Sequence, residues 1–209
     1  MMHMQRLFGL ALFFLSAVAI AAEPTPPDEL IKTTATEVLE IIKKDKDIQA
    51  GNKKKIKDLI EGKILPHFDF TRMTRLAVGR FWKQATPEQQ TELTNEFRSL
   101  LVRTYSASLT SYKDQTIDYK PLKMSPTDTD VVVKAAIQQS SGRAIPIDYT
   151  LAKTNNGWKI YDIAVDGVSL VVNYRSSFAQ EIQQGGVAQL INTLKTKNSN
   201  GAVAESKKG

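Results

Sequence analysis

The chain has no cysteine and only two histidines, His3 and His67, among its 209 residues. Without thiols it forms no disulfide, and it has neither a cysteine nucleophile nor a thiolate metal site. Two histidines are too few for a His-rich metal site. The G-x-S-x-G, S-x-x-K, P-loop and G-x-G-x-x-G motifs are also missing. The chain therefore lacks the common sequence signatures of hydrolases and nucleotide-binding enzymes.

The first 22 residues differ from the rest of the chain. They carry one charge, Arg6, followed by an apolar run of about fourteen residues, whereas a bilayer-spanning helix takes about 20. The run ends at Ala21-Ala22 and a proline-rich stretch follows. We therefore predict a secretory signal peptide over 1–22, cleaved near Ala21-Ala22, rather than a short membrane anchor. No later segment reaches spanning length, so the mature chain is expected to be soluble.

The net charge of +6 does not indicate a nucleic-acid-binding protein. Arg6 and the lysine-rich tail after residue 194 carry most of it. The lysine run over 53–57 has no interleaved aromatic residues, whereas nucleic-acid binding needs a basic patch or stripe. We interpret that run as a solvated helix face.

Apolar residues recur at helical spacing through the first half of the mature chain. Asp69 is a candidate N-cap, and Thr86 with Gln89 forms a capping box that starts a long helix. The predicted helices are at about 28–45, 53–65, 69–79 and 86–112.

The second half changes to the two-residue alternation of strands. Asn155-Asn156-Gly157 is a hairpin signal, and Asp166-Gly167 leads into two closing helices separated by Gly185-Gly186. We predict strands at about 115–122, 128–138, 144–154 and 158–165, then helices at about 169–184 and 187–194. The fold class is α+β, with a helical layer on a four-stranded antiparallel sheet, one domain over 23–196 and a disordered polar tail over 197–209.

The long helix is apolar over an arc of about 200°, whereas an ordinary surface helix buries nearer 100°. One side must meet the sheet, and the other meets further helices or lines an apolar cavity. Packing against further helices in the core is the commoner outcome for such a pattern. The residues alone do not decide between core packing and a cavity wall. The arc is formed by Leu93, Phe97, Leu100, Leu101, Val102, Tyr105, Leu109 and Tyr112.

Asp162 is the one carboxylate that a regular last strand would place beside Trp158 and Ile160 on an apolar face. There it would act as an acid or base with a raised pKa. The alternative is a bulge, or a hydrogen-bonded partner, that removes it from that face. His67, between Pro66 and Phe68, is interpreted as packed or surface-exposed rather than catalytic.

Two sequence blocks resemble the MlaC, or toluene-tolerance, family of periplasmic phospholipid-binding proteins. The first is LPHFDFTRMTRLAVGRFWKQATPEQQ, over 65–90, with Phe97 beyond it. The second is GWKIYDI through DGVSL, over 157–170. Their order and spacing agree with that family from about 28 to 196.

The resemblance implies a periplasmic lipid carrier without a cofactor, whose cargo is phospholipid. It implies a curved sheet similar to the NTF2-like cone, with acyl chains in a deep apolar pocket and the headgroup near its mouth. It also implies two partners, an outer-membrane lipoprotein with a porin and an inner-membrane ABC transporter with a ring of MCE domains. The carrier, expected to be a monomer, would move lipid between them and maintain outer-membrane asymmetry.

Shielding two chains of about sixteen methylenes calls for a cavity near or beyond ~1,000 Å³. We expect Val168→Glu to put a charge in its wall and abolish lipid retention. The expected wall residues are Leu76, Phe97, Leu101, Tyr105, Leu109, Val133, Ile147, Tyr149, Ile160, Val168 and Val172.

Two other functions remain open from the residues. A ligand-free interaction or chaperone module predicts no cavity, because its apolar surplus is all core. An acid–base enzyme on a similar scaffold predicts Asp162 and a tyrosine inside the cavity.

Overall fold

The computed structural model describes residues 25–110, 115–139 and 142–206. The predicted signal peptide, 1–22, and Tyr112 of the long helix lie outside these residues. Within the described part of the chain, no helix has the length and apolar content needed to cross a bilayer.

The helical half forms as the periodicity predicts, except for an additional short helix, Lys46–Gln49, and one interruption. The helix predicted over 53–65 ends at Leu59 and continues as a π-helical turn, Ile60–Ile64, and a 3-10 turn, Leu65–His67. Pro66 causes this change, because proline lacks the N–H of an α-helical hydrogen bond and disfavours helical geometry in the residue before it. The helices are α1 Pro27–Lys44, α2 Lys46–Gln49, α3 Lys53–Leu59, α4 Phe70–Val78 and α5 Pro87–Thr110.

Both predicted helix caps are confirmed. The Asp69 carboxylate accepts a hydrogen bond from the Arg72 N–H at 2.8 Å and starts α4. At α5, the Thr86 N–H donates to Gln89 Oε1 at 3.0 Å, while the Gln89 N–H donates to Thr86 Oγ1 at 3.3 Å. These bonds satisfy N–H groups that a helix start otherwise leaves unpaired.

The described strands form one open antiparallel sheet in the order β1-β2-β3-β4-β5, which corrects the predicted four strands to five. The extra strand arises at Asp166-Gly167, where φ values of 54° and 80° make a tight turn that pairs Val168 with Val165. The predicted NTF2-like cone is not confirmed. The strands are β1 Thr116–Tyr119, β2 Asp130–Gln138, β3 Ile145–Thr154, β4 Gly157–Val165 and β5 Val168–Ser169.

A β-bulge interrupts β4 at Tyr161. Leu151 of β3 pairs with Ile160, but its neighbour Thr150 pairs with Asp162. Tyr161 is therefore an extra residue of β4 with no paired residue on β3. Because side chains alternate along a strand, this insertion exchanges the faces of all later residues of β4.

The last helix, α6, runs over Leu170–Ser206 with a kink at Gly185-Gly186, where both residues have non-helical backbone angles. The two predicted closing helices are therefore two segments across one kink. Gly186 has φ of 75°, which favours glycine. The second segment continues to Ser206, whereas the sequence predicts a disordered tail from residue 197.

The core divides into three clusters of buried side chains. The first joins α4, α5 and α6 around Phe97, and the second joins the sheet to α1 around Leu151. The third joins α1, α2 and α3 around Ile42. Residues that belong to or pack against all three clusters line an unfilled space beside the second half of α5.

Candidate functional site

The unfilled space is an apolar cavity of about 280 Å³ between the helices and the sheet. Its walls come from the π-helical segment, α4, α5, strands β3 and β4, and the start of α6. The lining residues are Ile60, Ile64, Leu65, Phe68, Phe70, Met73, Leu101, Val102, Tyr105, Ser106, Leu109, Ile147, Tyr149, Ile163, Val165 and Leu170.

The long helix α5 serves both of the roles that its sequence left open. Its first half is core, since Leu93 and Phe97 are completely buried against α4 and α6. Its second half is cavity wall, where Leu101, Tyr105 and Leu109 follow one another at four-residue spacing. The wide apolar arc therefore reflects a change of neighbours along the helix.

The cavity wall has few polar groups and no charged ones among the described residues. Ser106 and two tyrosines contribute hydroxyls. Burial, together with the neighbouring Tyr119, raises the pKa of Tyr149 to about 12. Burial, followed by the charge interaction and the hydrogen bond with Tyr174, raises the pKa of Tyr105. Both phenols are therefore neutral at pH 7, and the wall suits an uncharged apolar ligand.

The more exposed lining residues mark the edge at which the cavity meets solvent. Tyr105 is 39% exposed and Val165 is 37% exposed, although both are large apolar or amphipathic residues. Val168, which pairs with Val165 across the tight turn, is 57% exposed. We refer to Tyr105, Val165 and Val168 as the apolar rim of the cavity.

Five of the residues expected in the pocket line this cavity. They come from α5 and β3, where the sequence period was regular enough to assign a face. These are Leu101, Tyr105, Leu109, Ile147 and Tyr149.

Three others lie in solid core. Phe97 packs edge-to-face against Tyr174 and Phe178, with ring centroids 5.1 Å apart in each pair. Val133 and Ile160 are on the cavity-facing side of the sheet but are buried in the cluster that includes Ile31 of α1, and neither is among the lining residues. The two-residue period gives their face correctly and contains no information on which helix covers them.

Leu76, Val168 and Val172 lie outside the cavity. Leu76 lines a separate surface groove between α4 and α6. Val168 belongs to the edge strand β5, and Val172 points to solvent because its neighbour Val171 takes the buried face of α6. The expectation that Val168→Glu charges the pocket wall therefore does not fit this geometry.

The sequence analysis missed the wall residues around the proline-interrupted turn. Phe68 and Phe70 flank Asp69, and their rings stack with centroids 5.5 Å apart. Their alternation in the PHFDF segment was the available signal. Ile163 and Val165 were missed because the bulge at Tyr161 reverses the alternation of β4.

The same bulge removes Asp162 from the apolar face. Its carboxylate accepts hydrogen bonds from Ser169 Oγ at 2.5 Å and from the Val171 N–H at 3.2 Å. Asp162 thus caps the start of α6 and does not line the cavity, which removes the carboxylate on which the enzyme alternative depended.

His67 lies half-buried in the 3-10 turn and is not among the lining residues. Burial and the nearby charge of Lys159 lower its pKa. Within the described residues, no group of three or more His, Asp or Glu side chains is arranged to hold a metal ion.

Comparison with known proteins gives a consistent result. The model of the MlaC protein family matches residues 32–196. The chain is 24% identical over 179 residues to the toluene tolerance protein ttg2D of Pseudomonas putida, covering 85% of this chain and 83% of that one. It is 25% identical over 202 residues to the intermembrane phospholipid transport system binding protein MlaC of Haemophilus influenzae, covering 92% and 90%.

A solved structure is also similar. It is the phospholipid-binding protein from Ralstonia solanacearum in complex with a phospholipid, with a TM-score of 0.77 and 42% sequence identity. The match covers 83% of this chain and 97% of the solved one.

Proposed function

The chain belongs to the MlaC protein family, and from that premise we propose that it is a periplasmic phospholipid carrier. It encloses acyl chains in its apolar cavity and moves lipid between outer-membrane and inner-membrane complexes, which maintains outer-membrane lipid asymmetry. The observation that supports this best is the uncharged cavity in a fold that a phospholipid complex shares at 42% identity.

The free energy of acyl-chain burial explains why a carrier is needed. A chain of about sixteen methylenes costs roughly 13 kcal/mol to hold in water, at ~0.8 kcal/mol per methylene. A bilayer offers the same apolar burial as the cavity, so lipid has a similar free energy in both. The direction of transfer is therefore set by partners, and spontaneous release into water is slow.

The cavity must widen to accept its cargo. Shielding two sixteen-carbon chains calls for a cavity near ~1,000 Å³, at the upper end of the range for ligand pockets. The observed 280 Å³ is less than a third of that volume.

We also propose the remaining features of a carrier. The signal segment over 1–22 exports the chain to the periplasm, and 23–196 forms the lipid-binding domain of a monomer. Phospholipid is cargo rather than cofactor. The partners are an ABC transporter with a ring of MCE domains in the inner membrane and a lipoprotein–porin complex in the outer membrane.

Mass spectrometry of the protein purified from a periplasmic extract tests the proposal directly. We expect about one phospholipid per protein in the native spectrum, with headgroups and chains identified after solvent extraction. A lipid-free mass, together with no uptake from labelled vesicles, would contradict lipid carriage and favour the ligand-free module.

A matched pair of variants tests the wall. Ile163→Glu places a carboxylate in the apolar cavity, where an unpaired charge is strongly unfavourable, so we expect co-purified lipid to fall by about tenfold or more. Val168→Glu introduces the same carboxylate five residues later, on the exposed edge strand, and we expect this variant to retain lipid. Ile163→Ala controls for damage to β4 and should also retain lipid. Equal lipid content in both Glu variants would contradict this placement of the wall.

A further inference from the structure

A second concave surface lies between α4 and α6 and is lined by three arginines. Arg75 is in the last turn of α4, Arg80 follows in the 3-10 turn Gly79–Gln84, and Arg175 comes from α6. The groove has a volume of about 520 Å³, and its floor is formed by Leu76, Phe81 and Ala179. Positive charge and apolar surface are thus combined in one concave site.

None of these three arginines forms an ion pair with a carboxylate of the described residues, although ion pairs hold Arg72 and Arg143. Arg175 Nε donates to the Leu76 carbonyl oxygen at 3.1 Å, which caps the end of α4 and fixes its guanidinium in the groove. That bond accounts for one nitrogen of Arg175. It leaves the three arginines of the groove without a carboxylate partner among the described residues.

The groove wall is held in shape before any ligand arrives. Gly79 has φ of 63° and ψ of −134°, a conformation that favours glycine, and it turns the chain so that Arg80 and Phe81 face α6. The Arg80 guanidinium lies 4.9 Å from the centroid of the Phe81 ring. Positioning the cations in advance reduces the entropy lost on binding.

One face of α6 leads from the groove toward the apolar rim of the cavity. Val172, Arg175 and Ala179 are spaced three and four residues apart, which aligns them on that helix face. Val172 is 56% exposed, and Val168 lies just before it at the cavity edge. A partner seated in the groove would therefore lie next to the edge of the cavity.

We propose that this arginine groove is the docking site for an acidic segment of a partner protein, with carboxylates on the guanidinium groups and an apolar side chain on the floor. A small inorganic anion would leave the floor uncovered, and a flat membrane surface does not enter a groove. This inference rests on the proposed carrier function, because docking beside the cavity matters when lipid passes through it.

Photocrosslinking in the source bacterium tests the proposal on the full chain. Ala179 is replaced by p-benzoylphenylalanine, and the adduct is mapped by mass spectrometry. We expect the attached peptide to come from another protein and to contain clustered Asp or Glu residues. An adduct with lipid alone, with a second copy of this chain or with a peptide lacking such a cluster would overturn the proposal, as would no adduct.

Charge reversal provides the matched control. Changing Arg75, Arg80 and Arg175 to Glu should lower the adduct yield by about tenfold or more, because facing charges would then repel. Changing Lys32, Lys123 and Lys153 to Glu alters net charge equally on exposed residues away from the groove and should leave the yield within about twofold. Equal effects of the two triple variants would overturn the proposal.

Two further measurements separate the possible failures. Arg80→Glu alone should lower the yield while leaving the fold intact, since no hydrogen bond or ion pair within the described residues holds its side chain. Lipid content, measured in parallel, should be the same in all charge variants. Lipid without an acidic adduct overturns the docking inference alone, whereas a lipid-free parent protein contradicts the carrier function itself.

Discussion

Replacing Phe97 with alanine tests whether the first half of α5 is structural core rather than cavity wall. Phe97 is completely buried, and its ring packs edge-to-face on Tyr174 and Phe178 with centroids 5.1 Å away. It therefore joins α5 to α6 at the centre of the largest core cluster. Removing the ring leaves a void that these neighbours fill only in part.

The expected loss of unfolding free energy is about 4 kcal/mol. Phe→Ala changes in protein cores typically cost 3–5 kcal/mol, and aromatic pairs of this geometry contribute about 0.5–1.5 kcal/mol beyond their buried area. Native domains have about 5–15 kcal/mol of stability, so the variant should still fold. Lipid content should be unchanged, because Phe97 does not line the cavity.

Leu109→Ala is the matched comparison in the second half of the same helix. Leu109 is half-buried and already borders the cavity, so its removal enlarges an existing space. We expect a loss of about 1–2 kcal/mol, less than for a fully buried side chain. Retained lipid is expected in this variant too, because the wall stays apolar.

Urea unfolding of delipidated protein gives the two free energies. Lipid must be removed first, since a ligand that binds the folded state stabilises it by mass action. A cost for Phe97→Ala no larger than that for Leu109→Ala would refute the division of α5 into core and wall. Loss of lipid from Phe97→Ala without loss of stability would refute it as well.

Two further variants test local interactions. Asp162→Ala should lower the unfolding free energy by about 1–3 kcal/mol, because Ser169 Oγ and the Val171 N–H lose their acceptor, while lipid content measured by mass spectrometry stays the same; lost lipid at unchanged stability would contradict the capping role. Burial by itself would raise the pKa of Asp130, but hydrogen bonds from Arg72 and Tyr161 together outweigh it. The net pKa of Asp130 is therefore below the ordinary 3.8. Its stabilising contribution is therefore present above about pH 4 and is lost as pH falls through the lowered pKa. The difference in urea midpoint between the parent and Asp130→Asn should shrink from about pH 5 to pH 2, and a constant difference would contradict this reasoning.

The sequence predicts the elements that local chemistry decides. The Asp69 cap and the Thr86–Gln89 capping box were readable because a side chain and a backbone N–H a few residues apart determine them. The kink at Gly185-Gly186 was readable because glycine readily adopts the non-helical backbone angles that interrupt a helix. Faces of α5 and β3 followed from their regular periods, and this is why all five expected residues that line the cavity come from these two elements.

Features that depend on packing between distant segments were not readable. Phe97 and Leu101 have the same character and helical spacing and belong to one core cluster, yet only Leu101 also borders the cavity. Val133 and Ile160 share a sheet face with the cavity, yet α1 covers them. Two-residue and 3.6-residue periods identify a buried face and contain no information on its neighbour.

The bulge at Tyr161 shows how one inserted residue determines the chemistry of the site. In a regular β4, Asp162 would share the face of Ile160, which an acid–base enzyme requires. With the extra residue, Ile163 pairs with Tyr149 and enters the cavity wall instead. Asp162 then faces α6 and fixes the start of that helix through Ser169 and Val171. Because Leu170, at the same helix start, also lines the cavity, the bulge both keeps charge out of the wall and positions the helix that closes it.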